Sequence, residues 1–257
     1  RITSEYDGFQ LLRKHKILNV PKPVFKENKF GFCVFKWISG KKVTKLSFKQ
    51  LNDMVVFINN IRDVQNHSDF ENFPNASASC FSGTDILKQI ETRRKNILKI
   101  NNHKLNFFIE KDFDNSLKVI TSSSIKKFSN DEFNKELNKK LRLLSPSDFG
   151  YHNLLKLDSG KLIFLDFEYF GWDDPAKLIS DFLFHPAMII TKKQKSFWLT
   201  SMLNSYNSDI ENRVNSLWTL YGLCWVLIML QDFDIHVWKK RNNISNFSKD
   251  TSTGLGI

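Results

Sequence analysis

The chain doubles back on itself between two acidic residues. Leu-Leu-Lys-Leu at 154–157, the turn formers Asp158-Ser159-Gly160-Lys161 and Leu-Ile-Phe-Leu at 162–165 spell a β-hairpin. A hairpin returns its end to its beginning, so the segments on either side of it meet. The one before reads Ser145-Pro146-Ser147-Asp148-Phe149-Gly150-Tyr151-His152-Asn153, and the one after reads Asp166-Phe167-Glu168. The step from Asp148 to Asn153 lets one loop present both side chains, and the hairpin brings Asp166 to the same edge. Alone, an Asp-x4-Asn spacing is ordinary turn chemistry. With a second carboxylate returned beside it, the set supplies what phosphoryl transfer asks of a protein: a carboxylate for the acceptor hydroxyl and hard oxygen ligands for Mg²⁺ on nucleotide phosphates.

Most of the remaining chain is helical in pattern. Ile2 to Ile17 reads as an opening helix with Phe9, Leu11 and Leu12 inward, stopped near Asn19 by Pro21 and Pro23. A strand pair should follow, with Phe30 to Ile38 as a strand running into a connector at Ser39-Gly40. From Ser47 the period becomes 3.6: Leu51, Met54, Val55, Ile58 and Ile61 share a face, and Ser47 with Gln50 makes a capping box. A second helix should run from about Asp85 to Ile100, and a third should begin at Ser129 with Glu132 closing its capping box. After Pro175 helices resume to the end.

The catalytic loop and hairpin resemble those of the aminoglycoside phosphotransferase and choline kinase family, which shares the protein-kinase fold. In that family an Asp is followed, after four intervening residues, by Asn and about eighteen positions on by a metal-binding Asp, as Asp148, Asn153 and Asp166 are here. The stretch Ile163-Phe-Leu-Asp-Phe-Glu-Tyr-Phe-Gly-Trp-Asp-Asp-Pro175 also looks like the family's continuation. The resemblance implies an α+β, protein-kinase-like fold: a truncated nucleotide-binding lobe over residues 1–38, then a mostly helical catalytic and substrate lobe over 39–257. It implies ATP and Mg²⁺ as cofactors and a small-molecule alcohol as substrate. Asp148 would orient or deprotonate the acceptor hydroxyl, Asn153 and Asp166 would bind Mg²⁺, and Glu168 would assist. Glu5 looks like the helix glutamate that pairs with a phosphate-binding lysine, and the backbone at Lys36, Trp37 and Ile38 like the adenine-binding hinge. Two departures stand out. Pro146 takes the place where the family usually has His, so loop support must differ. Neither a Gly-rich loop nor a strand lysine precedes Glu5, so the chain is expected to begin inside the nucleotide lobe; the alternative is a catalytically inactive kinase-like binding protein.

Other features have bland readings of equal or greater weight. Asp181 and His185 lie four apart on an expected helix, where capping or a core pair outweighs a metal site. His152 suits a loop-supporting hydrogen bond. Trp218, Tyr221 and Trp225 have helical spacing and fit core packing better than a cage for a quaternary ammonium. Asp232 and Asp234 follow that helix and are candidates for a substrate pocket. The net charge of +11 favours anionic ligands, and makes a polycationic acceptor less attractive than a sugar or another neutral or acidic alcohol. The basic residues come in short groups such as Lys41-Lys42, Arg93-Arg94-Lys95 and Lys192-Lys193, which fits solvated surface and not a nucleic-acid face. The apolar run Leu217 to Leu230 is shorter than a bilayer span and reads as a buried helix. Cys33, Cys80 and Cys224 are scattered, which suits a reducing cytoplasm. Nothing in the pattern speaks to oligomeric state.

Overall fold

The computed structural model describes residues 2–206 and 208–239. It opens with α1 (Ile2–Lys14), whose Phe9 and Leu12 are fully buried. The helix ends three residues sooner than its apolar pattern suggests. Lys16 adopts a left-handed φ of 65°, and Arg13 donates to the carbonyls of Leu18 and Val20, so the exit turn closes the helix before the prolines do. β1 (Pro23–Glu27) and β2 (Phe32–Phe35) then pair antiparallel. The strand expected from Phe30 to Ile38 is cut to four residues, because residues 28–31 make the connecting turn with Gly31 at φ 66° and residues 36–40 run on outside any strand.

After β3 (Lys41–Lys42), α2 (Phe48–Val64) starts at the Ser47–Gln50 capping box and buries Leu51, Met54, Val55, Phe57, Ile58 and Ile61. α3 (Gly83–Leu98) begins two residues earlier than the pattern suggested, because Ser82 and Asp85 form its capping box. Next come α4 (His103–Phe108), a π-helical turn over Ile109–Phe113 and α5 (Asp114–Phe128), a helical stretch with no counterpart in the sequence expectation. The π turn inserts a residue into the helical repeat and breaks the 3.6 period. α6 (Asn130–Asn134) is the helix expected from Ser129, whose hydroxyl accepts the Glu132 amide, but it stops after five residues as Lys135 turns extended.

β4 (Leu143–Ser145), β5 (Leu154–Lys156), β6 (Leu162–Phe164) and β7 (Gly171–Asp173) precede α7 (Pro175–Phe184), α8 (Lys192–Leu203) and α9 (Ser208–Leu230). The expectation of helices to the chain end reaches into residues 240–257, outside the described residues. With the turn that follows it, α9 is long and apolar enough to cross a membrane by length and composition, contrary to the shorter run read from the sequence. It is also a central packing helix: it packs on α3, α5 and α7, and buries Leu217, Leu220, Tyr221 and Leu227 along with Arg213. Arg213 bonds Asp174, which is itself fully buried and caps α7 through the Ala176 amide.

Three small sheets form in the orders β1-β2, β3-β5-β6 and β4-β7. The last two position the site. β4 is held to α2 by Gln65, which donates to the Arg142 carbonyl and accepts the Leu144 amide. β4 and β7 pair with Ser145 opposite Gly171, so the loop after β4 and the loop before β7 leave from one place. Below them Phe57 of α2 stacks on Phe164 at 3.8 Å, and Phe149 lies on the same pile.

Candidate active site

The β5–β6 register places Leu154 opposite Phe164, and the Leu165 amide donates to the Asn153 carbonyl at 2.9 Å. Asn153 and Asp166 therefore sit at the hairpin mouth. Each acidic group has a core phenylalanine as its chain neighbour: Phe149 after Asp148 is 6% exposed and Phe167 after Asp166 is 1% exposed, so backbone anchors alternate with polar side chains held at the surface. The mouth needs unusual backbone. Ser147 and Asp166 both take left-handed φ values, 64° and 63°, which cost energy in non-glycine residues and persist where the surroundings enforce them. Ser147 is braced by the Ser145 hydroxyl and by its own bond to the Tyr169 carbonyl.

Asp148 is the most elaborated residue of the loop. Asn153 donates its side-chain amide to the Asp148 carbonyl at 3.0 Å, closing the loop. His152 Nε2 lies 3.2 Å from Asp148 Oδ1, and His185 Nε2, at the end of α7, lies 3.5 Å from the same oxygen. The two imidazoles stack at 4.5 Å and 16°. Behind them the Trp225 ring meets His185 edge-on at 4.7 Å and donates its indole N–H to Asp181 at 2.8 Å. Lys177 completes the row, between Asp181 at 2.9 Å and buried Asp173 at 3.4 Å.

The electrostatics divide the carboxylates. Burial works against ionisation of Asp148, but the hydrogen bond and charge of His152, with His185 beyond, hold its pKa below the usual carboxylate value. Asp166 is pushed up, first by burial and then by the neighbouring Glu168 and Asp148. Glu5 is pushed up by burial and by Asp166 and Glu168, against the pull of the Phe167 amide that donates to it at 3.2 Å. Burial depresses His185, and the Asp148 charge opposes this.

Of the residues singled out from sequence, Asp148, Asn153 and Asp166 meet at the hairpin mouth, Glu168 follows two residues on, and Glu5 reaches them from α1. Lys36, Trp37 and Ile38 lie on the segment after β2 that belongs to no strand or helix, with Trp37 88% exposed. Asp232 and Asp234 lie beyond α9. Asp234 lines a cavity of about 670 Å³ with the end of α3, to which no described residue of the Ser145–Asn153 loop contributes, and its carboxylate caps the His236 amide. The aromatic trio does not make a cage: Tyr221 is 1% exposed and Trp218 packs on Phe184, while Trp225 alone joins the histidine row. Arg94 is no solvated side chain but forks onto Asp114, tying α3 to α5. His185, expected to serve a helix cap or a core pair with Asp181, instead faces Asp148. It lies 37 positions beyond Asp148, and no local spacing signals the encounter.

The fold is that of the choline and ethanolamine kinases and aminoglycoside phosphotransferases, an α+β protein-kinase-like architecture. Among solved structures, a spectinomycin phosphotransferase in complex with ADP and spectinomycin superposes with a TM-score of 0.63 at 12% identity, over 90% of this chain and 72% of that one. A choline kinase from Cryptosporidium parvum gives 0.57 at 13%, over 96% and 79%. Plasmodium vivax ethanolamine kinase gives 0.54 at 15%, over 90% and 67%. No family model and no curated protein matches the chain.

Proposed function

We propose that this chain carries the catalytic lobe of an ATP- and Mg²⁺-dependent phosphotransferase that moves the γ-phosphate to a hydroxyl of a small molecule, such as a sugar or an amino alcohol. The observation that carries the reading is the convergence of Asp148, Asn153 and Asp166 at one hairpin mouth. The kinase-like fold supports it, as does the small-molecule kinase chemistry named for its structural neighbours. Residues 1–38 then contribute to the nucleotide side and the segment at Lys36, Trp37 and Ile38 to the hinge.

The residues fit Mg²⁺. Asn153 spends its amide N–H on the loop, which leaves its side-chain oxygen for a cation. Asp166 is crowded by Glu168 and Asp148, an excess of negative charge that a divalent cation offsets. When bound, Mg²⁺ neutralises charge developing on the phosphoryl oxygens. The protein's own part is positioning. Asp148 has a lowered pKa, so it is ionised at neutral pH and a weak base; its task is to orient the acceptor hydroxyl for in-line attack more than to remove its proton early. Glu5 holds the backbone beside Asp166 by accepting the Phe167 amide.

Calorimetry with ATP analogues, with and without Mg²⁺, and a turnover assay over a panel of small alcohols test the reading. Asp148→Asn should lower turnover by at least about 100-fold while leaving nucleotide binding intact. Asp166→Ala should remove the Mg²⁺ dependence of binding, with the thermal midpoint of both variants near that of the parent. Turnover unchanged in Asp148→Asn sinks the catalytic assignment. Mg²⁺-dependent nucleotide binding with no transfer to any acceptor leaves the inactive binding protein as the better description.

A further inference from the structure

The two imidazoles at Asp148 have proton positions that the structure itself dictates. His185 Nδ1 accepts the Ala187 backbone amide at 3.1 Å. A nitrogen that accepts carries a lone pair, so in the neutral ring the proton sits on Nε2, which faces Asp148 Oδ1. His152 reaches the same result differently: its Nδ1 is buried without a partner among the described residues, and a proton there would be an orphaned donor, which costs more than an idle lone pair. Its proton therefore belongs on Nε2, 3.2 Å from the same carboxylate oxygen.

We propose that His152 and His185 form a positioning pair for the catalytic aspartate, both presenting Nε2–H to Oδ1 of Asp148 and so turning Oδ2 toward the acceptor hydroxyl. This inference rests on the phosphotransferase reading for its catalytic consequence, though not for its geometry. It explains how the loop manages with Pro146 on its approach: the support comes from the far end of the loop and from α7. The stacking of the rings and the Trp225 edge keep His185 from rotating away. The 3.5 Å separation of His185 from Oδ1 is long for a hydrogen bond, a length common in catalytic contacts before substrate binds.

The same three side chains bring their ligand-type atoms within 4.8 Å of one another, which raises a transition-metal site as the rival. The proton positions argue against it. A metal on both Nε2 atoms would move each proton to Nδ1, setting one N–H against the Ala187 amide and burying the other without an acceptor.

Long-range proton–nitrogen correlation spectra of the chain labelled in histidine nitrogen test the pair without any assay. With the rings in their neutral form, both should show the Nε2–H tautomer, and Asp148→Ala should shift both Nε2 signals. A Nδ1–H tautomer in either ring, or signals indifferent to Asp148→Ala, overturns the proposal. In the turnover assay His185→Gln, whose amide N–H replaces the ring donor, should keep kcat within about 3-fold. His185→Ala should lower it by roughly 30- to 100-fold with the nucleotide KM unchanged. Equal losses in Gln and Ala variants would mean that the ring serves packing alone and would also overturn it. Absence of transfer to any acceptor in the parent chain would instead strike the phosphotransferase reading and leave the tautomers to be judged from the spectra.

Discussion

Asp148 is held by the far end of its own loop and by the residue that ends α7, and Gly150 shows how closely that loop is fitted. Its backbone is extended, so any residue could adopt the conformation, but a Cβ there would lie 2.4 to 2.5 Å from the His152 ring. Gly150→Ala should therefore push His152 off Asp148, lowering turnover while the thermal midpoint falls little, since a side-chain ring can yield where backbone cannot. The carboxylate itself makes stability depend on pH. Its folded pKa lies below the unfolded value of about 3.9, so its contribution is complete above that value and is lost as pH falls through the folded pKa. In Asp148→Asn the acid limb of the stability curve should flatten; a denaturant midpoint followed from neutral pH downward reads this directly.

At the scale of elements, the ends of α7 do different work. Its first turn is fixed by Asp174, which caps the Ala176 amide and pairs with Arg213 of α9, both partners being buried. Its last residue hands His185 to the site. Arg213→Met should cost about 3 to 5 kcal/mol, because it leaves the Asp174 charge buried and unpaired; chemical denaturation measures it. β7 offers a second lever. A Cβ on Gly171 would lie about 2.5 Å from the backbone of Pro74 and Ala76, which bridge to Trp172 through their own hydrogen bonds. Gly171→Ala should destabilise by about 1 to 3 kcal/mol, since both sides of that contact are main chain. The π turn between α4 and α5 shows the opposite case, an element whose extra residue erased its own periodic signal.

Across the whole molecule, one aromatic pile joins α1, α2 and α8 to the segments that carry Asp148 and Asp166. Phe9 of α1 meets Phe167, Phe57 of α2 meets Phe164, and Phe149 and Trp198 extend the contact toward α8. Phe57→Ala should cost about 3 to 5 kcal/mol and should disturb the catalytic loop along with the core, visible as loss of nucleotide binding before global unfolding. The hairpin, the capping box at Ser47, the amphipathic α2 and the Asp148–Asn153–Asp166 frame depend on neighbours within some twenty residues, and the sequence by itself determined them. His185 against Asp148, Glu5 at the Phe167 amide, Arg213 under α7 and the separate cavity of Asp234 join positions with no local spacing in common. Only the tertiary structure decided these, because a side chain's partner across the core is set by how helices pack, and packing leaves no periodic trace in either segment alone.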